Sequence, residues 1–258
     1  MSSFKQWKIG RWRGMAFRLL GIGLLGLVIL AVDVRSEWPV REVRIEIRPL
    51  PDHSFLIGEE DILDELKRTE EFPVVGRSFR AVDLAIMEEL LEKNPFIRGA
   101  EVYLDSWNRL GIRVEQRRPV VRVMSERGEQ YYLDGEGNKL PLSRHVAIRV
   151  ITATGHYPPY TSGFMAQDHA LADLFHLCLE LEQDPFLKAF FVQVHADAKG
   201  SFTLVPVVGD QKITFGEWAD ASEKWKKLKA FYREAMPYVG WRKYRNLDLR
   251  FRQQVVCQ

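Results

Sequence analysis

The chain has 258 residues, 46% of them apolar, and its 37 basic and 35 acidic side chains leave a formal charge of +2. Such a composition excludes a wholly disordered, collagen-like or mucin-like polypeptide. Two cysteines, Cys178 and Cys257, are too few for a disulfide-stapled miniprotein and lack the CxxC spacing of a structural zinc site. The charge is unevenly placed: residues 1–32 hold Lys5, Lys8, Arg11, Arg13 and Arg18 and no acid, so the remaining body is mildly acidic. A body of that sign lacks the clustered positive charge that nucleic-acid binding needs, and no nucleic-acid partner is expected.

Residues 1–14 form a basic tail. Leu19–Val32 carries no polar side chain, and with Arg18 admitted the run reaches back to Met15. A helix over 15–32 is about 27 Å long, close to the hydrocarbon thickness of a bilayer. Trp7, Trp12 and Trp38 suit the two interfaces, and the positive tail predicts a cytoplasmic N-terminus with the body exported. A cleaved secretory signal is the rival reading, but Ala31-Val32-Asp33-Val34-Arg35 offers no small-x-small cleavage site. Gly21-Ile22-Gly23-Leu24-Leu25-Gly26 spells GxGxxG inside this run. A dinucleotide site needs a strand before those glycines, and none is predicted, so no cofactor is expected. Residues 33–38 are a linker.

From 39 to 118 the pattern is strand, helix, helix, strand, strand. Val43-Arg44-Ile45-Glu46-Ile47-Arg48 alternates as a half-buried strand does. Glu59-Glu60-Asp61 opens a helix with Ile62, Leu63 and Leu66 on one stripe. Asp83 opens a second, with Leu84, Met87 and Leu91 on one face, and Asn94-Pro95 stops it. Strands follow near Ile97–Leu104 and Leu110–Gln116. From 119 to 258 short strands dominate. They are expected at Tyr131–Leu133, Lys139–Leu142, Val146–Ala153, Phe186–Val194, Phe202–Val208, Lys212–Phe215 and Asn246–Phe251. Helices are predicted over Asp168–Leu181, stopped by Asp184-Pro185, and from a capping box at Asp220–Glu223 to Met236.

Chemistry is sought first on the helix from 168, where His169, Asp173, His176 and Glu180 share a face. No HExxH arrangement accompanies them, and a solvated polar face explains them. Cys178 lies among apolar side chains and reads as core. No His has a nucleophile beside it in a GxSxG context. The last helix is lysine-rich and suits solvent, an acidic partner or an anionic envelope polymer. The final strand, with Leu247, Leu249 and Phe251 on one face, is expected at a sheet edge. There it either accepts a strand from another protein or is blunted by Asp248 and Arg250.

In this order the chain resembles the FtsQ/DivIB family of bacterial cell-division proteins. The residues that carry the likeness are Phe55-Leu56-Ile57-Gly58-Glu59-Glu60-Asp61-Ile62, Leu91-Glu92-Lys93-Asn94-Pro95-Phe96-Ile97 and Ile112-Arg113-Val114-Glu115-Gln116-Arg117-Arg118-Pro119. Tyr132-Leu133-Asp134 with Gly137 and Leu140-Pro141-Leu142, and the ending Asn246–Val256, complete it. The resemblance implies an α+β chain: a single transmembrane helix, a POTRA-like β-α-α-β-β domain at 39–118, and a mixed α/β domain on a curved antiparallel sheet at 119–258. It implies a non-enzymatic scaffold of the divisome at the septum, in the inner membrane. Its implied partners are FtsB/DivIC-like and FtsL-like coiled-coil proteins, with other division proteins meeting the POTRA-like domain. Leu247, Leu249, Arg250, Phe251, Val255 and Val256 correspond to the partner-binding edge, and proline at 249 is expected to spare the fold. A membrane-anchored envelope enzyme and a POTRA-type outer-membrane assembly module are the alternatives.

Overall fold

The computed structural model describes residues 20–23, 37–69, 72–166 and 170–258. The span expected at 15–32 lies outside the described residues except for Leu20–Gly23, which is helical, and His169 lies outside them too. Among the described residues no helix is long and apolar enough to cross a membrane. The described residues fall into two compact units that interleave along the chain. One draws on the described residues up to Arg48, within 59–93 and over Gly99–Val114; the other on Pro49–Gly58, Asn94–Arg98 and the described residues within 115–258.

The first unit is built as β-α-α-β-β. Strand β1 (Glu42–Arg48) alternates as its sequence predicts, with Val43, Ile45 and Ile47 half-buried and the charged residues between them exposed. Helix α1 (Glu59–Leu66) buries Ile62 and Leu66, and its acidic first turn complements the helix dipole. Helix α2 (Leu84–Glu92) starts at Asp83, whose carboxylate accepts the Ile86 N–H at 3.2 Å, and it buries Met87 and Leu91. Strands β2 (Ile97–Leu104) and β3 (Arg109–Gln116) meet at a turn around Asp105. The Asp105 carboxylate accepts the N–H groups of Trp107 and Arg109 at 2.8 and 3.0 Å, and Asn108 takes φ 60°. Asparagine tolerates that left-handed conformation better than most side chains. The sheet order is β1-β3-β2, with β3 in the centre.

The second unit holds strands β4 (Pro119–Ser125), β5 (Gln130–Asp134), β6 (Lys139–Leu140), β7 (Ile151–Gly155), β8 (Phe191–Ala196), β9 (Phe202–Pro206), β10 (Lys212–Gly216), β11 (Asn246–Asp248) and β12 (Val256–Cys257). Its helices are α3 (Ala170–Gln183), α4 (Pro185–Phe190), α5 (Ala221–Ala230) and α6 (Met236–Val239), with one π turn at Phe231–Ala235. The described strands form one sheet in the order β12-β11-β10-β9-β8-β7-β4-β5-β6. This sheet is mixed, which corrects the antiparallel expectation: β4 with β7, β7 with β8, and β10 with β11 run parallel. Parallel neighbours need a crossover, and α3–α4 and α5–α6 supply two of the three.

One sheet face packs under the helices. Leu171, Leu174, Phe175, Cys178 and Leu181 of α3 meet Val121, Val123, Ala153, Val194, Leu204 and Ile213 in a single core. Period-two alternation divides β5 between two cores: Tyr131 and Leu133 join the helix side, whereas Tyr132 packs with Leu50, Leu56 and Leu140.

Three expected elements differ. The segment read as a strand from Phe186 begins as α4, because the Asp184 carboxylate accepts the Phe186 and Leu187 N–H groups and Pro185 suits a first helical position. Asp184-Pro185 thus both ends one helix and starts the next. The stretch from Val146 becomes a strand only at Ile151. Asp220 takes φ 57° and makes no side-chain cap, so the expected capping box is not formed.

Candidate functional site

The carboxy-terminal sheet edge is built on β10. Strand β11 lies parallel to it, with Leu247 level with Ile213 and Asp248 with Thr214, and the Leu249 N–H donates to the Thr214 carbonyl at 2.9 Å. Leu247 and Leu249 are fully buried in the core shared with Ile213, Phe215 and Leu228. The expected strand Asn246–Phe251 therefore ends three residues early. Its terminator is local: the Asp248 carboxylate accepts the Arg250 backbone N–H at 3.0 Å and the Arg250 guanidinium at 2.6–3.1 Å. An aspartate that bonds two residues ahead competes with the sheet ladder and turns the chain. The Arg250 hydrogen bond, against an opposing cost of burial, holds the Asp248 carboxyl below the ordinary carboxylate range.

Beyond Arg250 the chain reverses through Gln253, at φ 58°, and returns as β12, antiparallel to β11 with Val256 level with Asp248 and Cys257 with Leu247. Helix α5 fixes the reversal. The Lys227 ammonium donates to the Leu249 carbonyl at 2.9 Å and to that of Phe251, and Glu223 accepts the Gln253 N–H at 3.4 Å. The structure thus moves the edge. Strand β11 is held between β10 and β12, and among the described residues the outermost strand at this end is β12. Among the sequence-predicted site residues, Leu247 and Leu249 are core, Arg250 and Phe251 ride the turn, Val255 leads into the edge strand and Val256 belongs to it.

The direction of the free groups follows from the register. Gln258 exchanges N–H and C=O with Asn246 at 3.0 and 2.9 Å. Alternate residues of an antiparallel strand point to opposite sides, so the main-chain groups of Cys257 face away from β11. Phe251, on the turn that leads into β12, is 46% exposed. Sequence reasoning missed β12 because two residues carry no periodicity and its turn lacks glycine.

The polar face of α3 is more than solvated. Glu180 accepts the indole N–H of Trp218 at 3.1 Å and that of Trp225, and the His176 ring stacks on Trp218 with centroids 4.9 Å apart. These contacts clamp α5 and the loop before it onto α3. Burial pushes the Cys178 thiol up, which keeps it in its protonated, unreactive form. Among the described residues no three His, Cys, Asp or Glu side chains come together as a metal site.

Comparison with known proteins divides along the chain. A POTRA-like domain model matches residues 40–115. A model described as FtsQ/DivIB, C-terminal related, matches residues 118–258, more than half of the chain. The chain belongs to the FtsQ/DivIB family. It is also similar to the cell division protein FtsQ of Rhodothermus marinus, 27% identical over 254 residues that cover 95% of this chain and 88% of that one. Within this FtsQ/DivIB chain, the β11–β12 edge lies wholly inside the region matched by the C-terminal model.

Proposed function

We propose that the chain is a single-pass, non-enzymatic scaffold of the bacterial division machinery, with a cytoplasmic N-terminus and its folded units outside the inner membrane at the septum. It recruits coiled-coil partners of the FtsB/DivIC and FtsL type by strand addition, and meets other division proteins through the POTRA-like unit. The observation that carries this reading is the outward-facing main chain of Cys257 on the outermost described strand of the sheet. A strand laid against β12 gains main-chain hydrogen bonds and register there, and Phe251 and Val256 supply side-chain selectivity. Arg250, tied to Asp248, holds the turn in shape and does not itself need to meet the partner.

Cys257→Pro is the direct test, because it deletes an outward N–H while leaving the Val256 and Gln258 pairing to β11 intact. Proline is tolerated on an edge strand whose N–H faces outward. Capture of the coiled-coil partner by the full chain from membranes should fall about tenfold, the effect of roughly 1.4 kcal/mol lost from one main-chain bond and its neighbours. The thermal midpoint should be unchanged. Undiminished capture would overturn strand addition at β12.

A further inference from the structure

The first unit has two sheet flanks, and they differ. On the β2 flank the Glu88 carboxylate accepts the Val102 N–H at 2.7 Å and the Glu92 carboxylate accepts the Ala100 N–H at 3.4 Å. Two side chains of α2 thereby occupy main-chain donors that a further strand would need. On the β1 flank, among the described residues, the outer cover lies ahead of the strand. The segment at Gly76–Arg77 bonds Val40 from the outer side, at 2.8 and 2.9 Å, while the Arg41 N–H turns inward to the Asn108 carbonyl at 2.9 Å. Strand alternation then points the main-chain groups of Val43, Ile45 and Ile47 at β3 and those of Glu42, Arg44 and Glu46 outward.

The sequence of this flank is Glu42-Val43-Arg44-Ile45-Glu46-Ile47-Arg48, and its charges reverse about Ile45. If the strand meets a second copy of itself antiparallel, with a twofold axis through Ile45, Glu42 lies opposite Arg48, Arg44 opposite Glu46, Val43 opposite Ile47, and Ile45 opposite itself. A twofold axis normal to the sheet admits only registers that shift by two. Each such shift sets Arg44 against Arg44 and Glu42 against Glu46, or Glu46 against Glu46 and Arg44 against Arg48. Opposite charges directly across a strand pair attract and like charges repel, so the strand specifies one self-pairing and rejects its neighbours. Alternating charge commonly protects an edge from unrelated strands. Here the same charges make an exception for an identical strand, the isologous contact that twofold symmetry requires.

We infer that two copies of this chain associate through their β1 edges into a six-stranded sheet centred on Ile45. The charged face is already a ladder within one copy: Glu101 meets Arg113 at 2.8 Å, Arg113 meets Glu46 at 3.6 Å, and Arg109 meets Glu42 at 3.4 Å. Pairing extends that ladder across the axis, with the second copy's Arg44 reaching Glu46. The half-buried Val43, Ile45 and Ile47 form one continuous row on the opposite face.

The test uses the full chain in detergent, labelled for energy transfer between copies. Arg44→Glu and Glu46→Arg each set two like-charge pairs across the axis, and each should lower self-association about tenfold relative to the wild type. Mixed together, the two variants face each other with the introduced acid of one copy opposite the introduced base of the other. The second site then keeps the native pairing of Arg44 with Glu46, so the mixture should associate as the wild type does. A folding defect in either variant could not be repaired by mixing. Wild-type association by Arg44→Glu alone, a mixture no better than its components, or a wild-type chain that stays monomeric at membrane-like concentration would each overturn the inference.

Discussion

The β12 edge and the β1 edge offer strands to solvent in opposite ways. At β12 the strand is short, its inner neighbour β11 is buried through Leu247 and Leu249, and Lys227 and Glu223 hold the turn from behind. Its outward groups are main chain, so on the proposed strand addition it would read the backbone of a partner with few demands on side-chain charge. At β1 the strand has seven residues and presents a charge code that only a complementary sequence satisfies. An edge becomes permissive when its order comes from the core behind it, and selective when its own exposed side chains carry the pattern.

Breaking the first arm of this contrast should have the largest effect. Leu249→Pro removes the N–H that reaches Thr214 and disturbs a fully buried position, so it should cost about 3 kcal/mol or more and unfold the β11–β12 edge. Loss of amide-exchange protection in β10 and β11 would show it, and a native-like melt would contradict it. This reverses the expectation that proline at 249 spares the fold.

A smaller effect is expected at Asp248. Asp248→Asn weakens the link to the Arg250 side chain and should cost about 1 kcal/mol, because Arg250 is itself largely exposed. Asp248 has a depressed carboxyl in the folded state. Its stabilisation is therefore complete above the unfolded carboxylate value near 3.9 and is lost as pH falls through the lower folded value. Thermal melts of the two chains should differ at neutral pH and converge in acid once the pH has fallen through the lowered folded value of Asp248. A constant gap would remove the ion pair from the account.

The smallest change sharpens the second arm. Glu88→Ala uncovers the Val102 N–H on the β2 flank and should cost about 1 kcal/mol. The Val102 amide should exchange faster with solvent while β1-mediated association stays unchanged. A rise in association would mean that the covered flank, rather than β1, is the sticky one.

Much of the first unit was legible because its signals are periodic or local. The alternation of Val43, Ile45 and Ile47 and the cap at Asp83 each depend on residues within one turn or one strand. The α3 stripe from Leu171 to Leu181 was legible for the same reason. The carboxy-terminal edge was not, because its outcome was decided by a competition. The alternation Leu247, Leu249, Phe251 argued for a longer strand, and the Asp248–Arg250 link cut it short. Likewise Glu180 reads as a solvent-facing acid until α5 and the loop before it bring two indole N–H groups to it from 38 and 45 residues away. Parallel pairing left no mark either, since strand direction is set by crossovers and not by the strand's own residues.

The parallel register of β10 and β11 has a consequence for timing. Strand β11 follows all of β4–β10 in chain order, and among the described strands β12 neighbours β11 alone. Pairing β11 with β10 joins Asn246 to Lys212, so the long loop that holds helix α5 must close before the outermost ribbon has a sheet to lie on. On the proposed strand addition, the surface that meets a partner would exist only once the sheet behind it is complete, so maturity of the fold would itself be the licence to engage.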